Sequence, residues 1–312
     1  MTERKAHLDA LAIVALVACC LIWGLNQVAA KVSLHEISPL WQASIRSIGG
    51  AVLVWAWSRH RGIPLFERDG TLPGGLLAGL LFAAEFGCMF IGLQLTTASR
   101  MVVFLYTAPF VVALGMPFIT HAERLSSVQL AGLVVAFGAV ASAFIEGFTR
   151  PAAGAHQWVG DALGVVAAVL WGATTLVVRA TRLTTASAEK TLLYQLAISG
   201  VLLALAAAAT EPPLPTTLSA LAWTSLAFQI VIVSFVSFLV WFWLVRHYPA
   251  TRLSSFTLLT PLFGLALGAL LLSEPITLRL GVALVGVSAG IWLVNRPPGS
   301  KREPRGPRVS AP

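Results

Sequence analysis

The chain has 312 residues, 57% of them hydrophobic and only 11% charged, with a mean hydropathy of +0.82; soluble proteins carry ~25% charged residues. So little polar surface excludes a pair of soluble domains and puts lipid around the outside. The net charge of +8 does not make a nucleic-acid stripe, because Lys and Arg fall between and after apolar runs, not along one face.

A membrane-spanning helix needs ~20 mostly apolar residues. Ten such segments are predicted, at 9–30, 38–58, 74–97, 100–120, 126–146, 158–179, 189–209, 217–245, 252–273 and 277–295. Breakers mark the joints: Pro39, Gly62-Ile63-Pro64, Pro73-Gly74, Pro151, Pro212-Pro213-Leu214-Pro215 and Pro275. The first segment follows Arg4-Lys5 and ends near Ala29-Ala30, in the manner of a signal peptide. Its apolar run is long for that, and its Trp23…Lys31 spacing returns in mid-chain as Trp171…Arg179. It is read as a helix.

Asn26 lies one turn after Trp23, and Thr174 holds the equivalent place after Trp171. Arg46 in the second segment and Glu85 in the third are ionisable groups well inside apolar runs, which by default mark a pathway or a pair. Two readings of Glu85 stand, a carboxylate that binds a proton or a substrate ammonium, and a structural partner of Arg46. In the fourth segment Tyr106 and Thr107 precede Pro109; in the ninth, Thr257 and Thr260 precede Pro261. A proline within a span frees a carbonyl one turn earlier, so both regions are candidate kinks and candidate cavity walls. Asp161, Glu123 and Glu274 stand near segment starts, where a carboxylate suits the helix dipole. In the eighth segment Ser234, Ser237 and Trp241 share a face at three- and four-residue steps, which Gln229 joins only loosely. Phe228, Phe235, Phe238 and Phe242 form an adjacent stripe, read as lipid-facing or packing. Cys19, Cys20 and Cys88 lie inside apolar runs and read as packing residues. The six His sit at run edges or in joints, so neither a metal site nor a cofactor is expected. Gly75…Gly79, Gly160…Gly164, Gly264…Gly268 and Gly286…Gly290 are spaced for close helix packing.

The chain also repeats itself. Ala98-Ser99-Arg100…Phe104…Pro109 returns as Ala250-Thr251-Arg252…Phe256…Pro261, about half the chain later. With the N-terminus inside, inner joints and tail hold sixteen of the 21 Lys and Arg; the outer ones hold Lys31, Arg100, Arg150 and Arg279. That asymmetry places both termini in the cytoplasm. Each half has five spans, so the halves enter the membrane in opposite senses. The expected fold is an all-α membrane protein of ten transmembrane helices in two inverted five-helix repeats, 9–147 and 157–295. Residues 296–312 are expected to form a disordered basic cytoplasmic tail. Inverted repeats are a recurring plan of secondary transporters, with the substrate site near the midplane.

At this point the sequence resembles the EamA family of the drug/metabolite transporter superfamily. The resemblance spans about residues 10–295. It is carried by Trp23-Gly24-Leu25-Asn26…Lys31, Pro39…Arg46, Ala98…Pro109-Phe110 with Glu123, and Trp171-Gly172. Pro261…Glu274-Pro275 and Gly281-Val282-Ala283-Leu284-Val285…Gly290 complete it. It implies a multi-pass carrier of the bacterial inner (plasma) membrane, often an exporter of amino acids or other small metabolites, with a cavity between the halves. The halves differ in one respect: Arg46 has no basic counterpart near Tyr194 and Gln195.

The expected function is therefore alternating-access transport, in the export direction, of a small metabolite such as an amino acid. The expected partners are a small-molecule substrate and the lipid bilayer, without nucleic acid; proton coupling and oligomeric state stay open. An exporter of drugs or cationic compounds is the alternative, with Glu85 and the aromatics as the cation site. An intramembrane enzyme is a remote third reading, because no nucleophile–base pair or metal constellation lies within the spans.

Overall fold

The computed structural model describes residues 9–119, 127–247, 257 and 259–294. Glu123, the repeated Thr251-Arg252…Phe256 and the basic tail lie outside the described residues, as does the side chain of Phe242. The described residues form helices and contain no strand. In order these are α1 (Ala10–Ser33), α2 (Pro39–His60), α3 (Leu72–Leu95), α4 (Ala98–Leu105), α5 (Ala108–Ile119), α6 (Ser127–Thr149) and α7 (Gln157–Ala180). A short 3-10 turn, Arg182–Thr185, leads to α8 (Ala188–Thr210) and α9 (Ala220–Ala227). A π-helix at Phe228–Ser237 continues into α10 (Phe238–His247), followed by α11 (Leu259–Leu272) and α12 (Leu278–Val294).

Prolines start two of these helices where a missing N–H costs nothing, Pro39 in α2 and Pro73 in α3. Side-chain caps start others: Asp9 accepts from the Ala12 amide, Thr97 from Arg100, Ser187 from Lys190 and Ser219 from Ala222. Among the described residues, six stretches are long and apolar enough to cross a membrane: α1, α3, α4–α5 together, α7, α8 and Ala220–Trp241. The 22 residues of α2 are long enough but too polar. The reason lies in its inner face: Gln42, Ser44, Arg46, Ser47 and Ser58 are all buried, so their polarity never meets lipid. Leu11, Val14, Leu80, Val134, Leu205 and Leu270 face outward. Exposed Trp158 and Trp223 stand near one end of the helices, and Trp57, Trp243 and Trp292 near the other, as interfacial tryptophans do.

The packing partners come from opposite halves of the chain. Lipid is as apolar as the side chains it surrounds, so helix association depends on close fit. A Cβ on Gly24 of α1 would sit 2.8 Å from the backbone nitrogen of Gly264 in α11, and one on Gly160 of α7 would sit 2.8 Å from the Gly92 carbonyl of α3. Around α3 lies the main core of Phe82, Phe86, Met89 and Phe90, with Leu192, Leu196 and Leu203 of α8.

Candidate functional site

Two kinds of polar group are buried in this structure, and they are distinguished by whether the protein satisfies them. The satisfied kind gathers at the end where α1 finishes and α2 begins. Both oxygens of Glu211 accept amide hydrogens at the start of α2, from Leu40 at 2.8 Å and Trp41 at 3.1 Å. Glu274 does the same for α4, taking the Ala98 amide at 2.7 Å and the Ser99 amide at 2.9 Å and hydroxyl at 2.6 Å. Glu36 accepts from the Ser219 amide at 2.7 Å and from the Ser219 hydroxyl, at the head of α9; these bonds hold its carboxyl below the usual range. Each carboxylate fills the unpaired amides of a helix start, and each reaches across to the other half of the chain.

This corrects the expectation for Glu274, which serves not its own helix but α4. Asp161 departs further from its expected helix-start role. It is fully buried and accepts the Arg100 guanidinium at 2.6 and 3.0 Å and the Thr96 hydroxyl at 2.6 Å. Arg100 also reaches Glu146 at 3.2 Å and the Ala143 carbonyl at 2.5 Å, and Thr277 donates to Glu146 at 2.7 Å. Arg100 is thus no loop residue of the outer joints but a buried hub. Lys31 Nζ likewise turns inward, to the carbonyls of Leu93 and Thr96.

The unsatisfied kind lies midway along the helices. Arg46 is 1% exposed and its Nε and Nη1 have no partner; Glu85 is 5% exposed and its Oε2 has none. They lie within electrostatic reach of each other, yet no nitrogen–oxygen pair between them comes within the 4.0 Å of an ion pair. The Arg46 guanidinium stacks 4.1 Å over the Phe86 ring instead. Gln27, beside Asn26, donates weakly to the Met89 sulfur at 3.8 Å, one turn beyond Glu85. Its carbonyl oxygen is unpartnered, as is that of Asn26.

Gln229 is fully buried with both amide atoms unpartnered, and so is the hydroxyl of Ser234. Both lie in the π-helix, whose wider turn sets residues five apart closer in angle than an α-helix would. Gly50 of α2 lies against Ser234, and Gly49 against Ile230, so the π-helix packs on α2.

Aromatic pairs flank this region. Trp23 donates to the Ser237 hydroxyl at 2.9 Å and meets Trp241 edge-on at 5.5 Å. Tyr106 meets Trp171 in the same way at 5.6 Å, and Thr260 is buried beside Tyr106 and Cys20. Thr107 and Thr174 spend their hydroxyls on the Phe104 and Leu170 carbonyls of their own chain segments. Thr257 is half-buried. The helix path breaks at Tyr106–Thr107, just before Pro109, while Pro261 is buried in the first turn of α11. Phe235 and Phe238 pack against the core. Cys19, Cys20 and Cys88 take part in no disulfide.

The model of the EamA-like transporter family matches residues 10–145 and again 158–296. The chain belongs to the EamA-like transporter family. It is a multi-pass membrane transporter, of the inner membrane in bacteria, and not an enzyme. Among relatives of this EamA-like transporter is the uncharacterized transporter YvbV of Bacillus subtilis, 31% identical over 88% of each chain. Others are described as probable amino-acid metabolite efflux pumps. The one from Escherichia coli is 28% identical and the one from Salmonella typhimurium 26%, each over 87% of this chain and 90% of its own. A crystal structure at 17% identity superposes with a TM-score of 0.65, over 92% of this chain and 96% of its own, and shares the fold.

Proposed function

We propose that this transporter is a secondary carrier that exports a small metabolite, an amino acid or a close relative of one, by alternating access of two inverted halves, 9–147 and 157–295. One observation carries the reading: Arg46 Nε and Nη1, Glu85 Oε2, both amide atoms of Gln229 and the Ser234 hydroxyl are buried within the helices without a hydrogen-bond partner. An unpaired buried polar group costs about 1–3 kcal/mol. A protein retains several together where something else binds them, and in inverted-repeat carriers that place is the substrate site. The carboxylates Glu36, Glu211 and Glu274 supply the second requirement, a closure at one end made of contacts between halves. We assign that end to the outside, from the Lys and Arg asymmetry of the joints, with both termini in the cytoplasm. The names of the amino-acid efflux relatives support the substrate class and the direction.

The test is counterflow of labelled amino acids and metabolites in proteoliposomes without an ion gradient. Uptake of one chemical class, driven only by the same unlabelled compound inside, is expected. Uptake of cationic drugs in place of amino acids would overturn the substrate class, and flux without stimulation from the far side would overturn the carrier mechanism.

A further inference from the structure

The two buried charges at mid-depth neither pair directly nor have their hydrogen bonding filled. A guanidinium and a carboxylate that serve only to hold two helices together bind each other, as Arg100 and Asp161 do in this molecule at 2.6 Å. Arg46 and Glu85 do not. Arg46 keeps Nε and Nη1 without partners, two charged donors left open to an anionic acceptor. Its flat face is held by Phe86 at 4.1 Å, which fixes the fork without using its donors. Glu85 offers the complementary acceptor in Oε2, and Gln27 a further free carbonyl oxygen on the same side. Gln229 lies on the π-helix that packs against α2, with both its amide atoms unpartnered.

We infer that Arg46 and Glu85 are the two poles of a zwitterion site: Arg46, with Gln229, takes the carboxylate of the transported molecule, and Glu85 takes its ammonium group. This rests on the carrier reading above and adds what it lacks, the chemistry that selects the cargo. A zwitterion carries both charges on neighbouring atoms, so one molecule satisfies both poles without adding net charge to the membrane interior. A simple cation or a simple carboxylate satisfies one pole and leaves the other buried and unpaired, and this is how a polar site rejects an analogue lacking one group. The aromatic pairs of Trp23 with Trp241 and Tyr106 with Trp171 leave the remainder of the molecule apolar surroundings.

The experiment is competition in the counterflow assay. The common amino acids identify the best-exchanged compound; its carboxamide, which lacks the carboxylate, and its deaminated acid, which lacks the ammonium, then compete with it. The unaltered carrier is expected to prefer the amino acid over either analogue by at least about tenfold, the worth of a lost hydrogen bond to a charged group. Arg46→Gln should lose the preference over the carboxamide alone, and Glu85→Gln the preference over the deaminated acid alone. The double variant Arg46→Gln/Glu85→Gln, which leaves no unpaired charge to disturb folding, should lose both. Unchanged selectivity in the double variant would overturn the inference, leaving the residues a water-bridged structural pair. An intact carrier that exchanges amino acids and both analogues alike would overturn it while sparing the carrier reading. Exchange of no zwitterion at all overturns both.

Discussion

Arg100 and Arg46 show how differently two buried guanidiniums can be treated by one protein. Arg100 is satisfied by Asp161, Glu146 and a carbonyl, and removing one member of such a cluster leaves a buried charge unpaired, at about 3–5 kcal/mol. Asp161→Ala is therefore expected to lower the unfolding temperature in detergent sharply. The double variant Arg46→Gln/Glu85→Gln removes both charges and no hydrogen bond between them, so it should change it little; an equal loss would show that this pair is as structural as Asp161. Sequence made Arg46 and Glu85 legible, because charges inside long apolar runs are rare. It hid the role of Asp161, whose partners Thr96 and Arg100 lie more than sixty residues away, and whose place near a helix start offered a simpler local account. Glu146 was hidden for a similar reason, standing at the edge of its apolar run. At the opposite end Asp69 accepts from Lys190 at 2.8 Å and from the Thr71 hydroxyl at 2.6 Å. The Lys190 bond, then those of Thr71, hold its carboxyl well below the ordinary value, near 4 when unperturbed. A lowered carboxylate stabilises the folded state above its unfolded pKa and loses that effect as pH falls through its folded one. The stability difference between the protein and its Asp69→Asn variant should accordingly be constant above about pH 5 and shrink below about pH 4. A difference independent of pH in thermal melts would refute this.

Helix positions were legible from hydropathy, from Pro39 and Pro73 and from the joint residues, because those signals are local. The conformation within a span was not. Nothing in Phe228–Ser237 marks a π-helix, whose wider turn is chosen by what it packs against. Glycine spacing was legible as close packing, but which helix would fill each gap was not: Gly24 meets Gly264, far along the chain. Gly24→Ala is expected to cost about 1–3 kcal/mol by overpacking against the backbone of α11. Gly138→Ala, with nothing within 4 Å of its Cβ, should be neutral or slightly stabilising through helix propensity. Equal effects in chemical denaturation would contradict the close contact.

At the scale of the molecule, the three carboxylates Glu36, Glu211 and Glu274 tie helix starts of one half to joints of the other. The described residues of the opposite end show a lighter bond set, centred on Asp69 and Lys190. The Trp-Gly and Ser-Arg echoes were legible in the chain itself. The ties were not, since a carboxylate in a joint gives no sign of which helix it will cap. Alternating access requires that breaking these ties open one end while the other closes. Distances between spin labels test this most directly, with one pair at His35 and Thr217 and another at Arg61 and Thr184, all exposed positions, in a background without Cys19, Cys20 and Cys88. Replacing Glu211 and Glu274 by Ala is predicted to lengthen the first pair and shorten the second within the same population. Both pairs unchanged, or both lengthened together, would contradict alternating access of two halves about a central site.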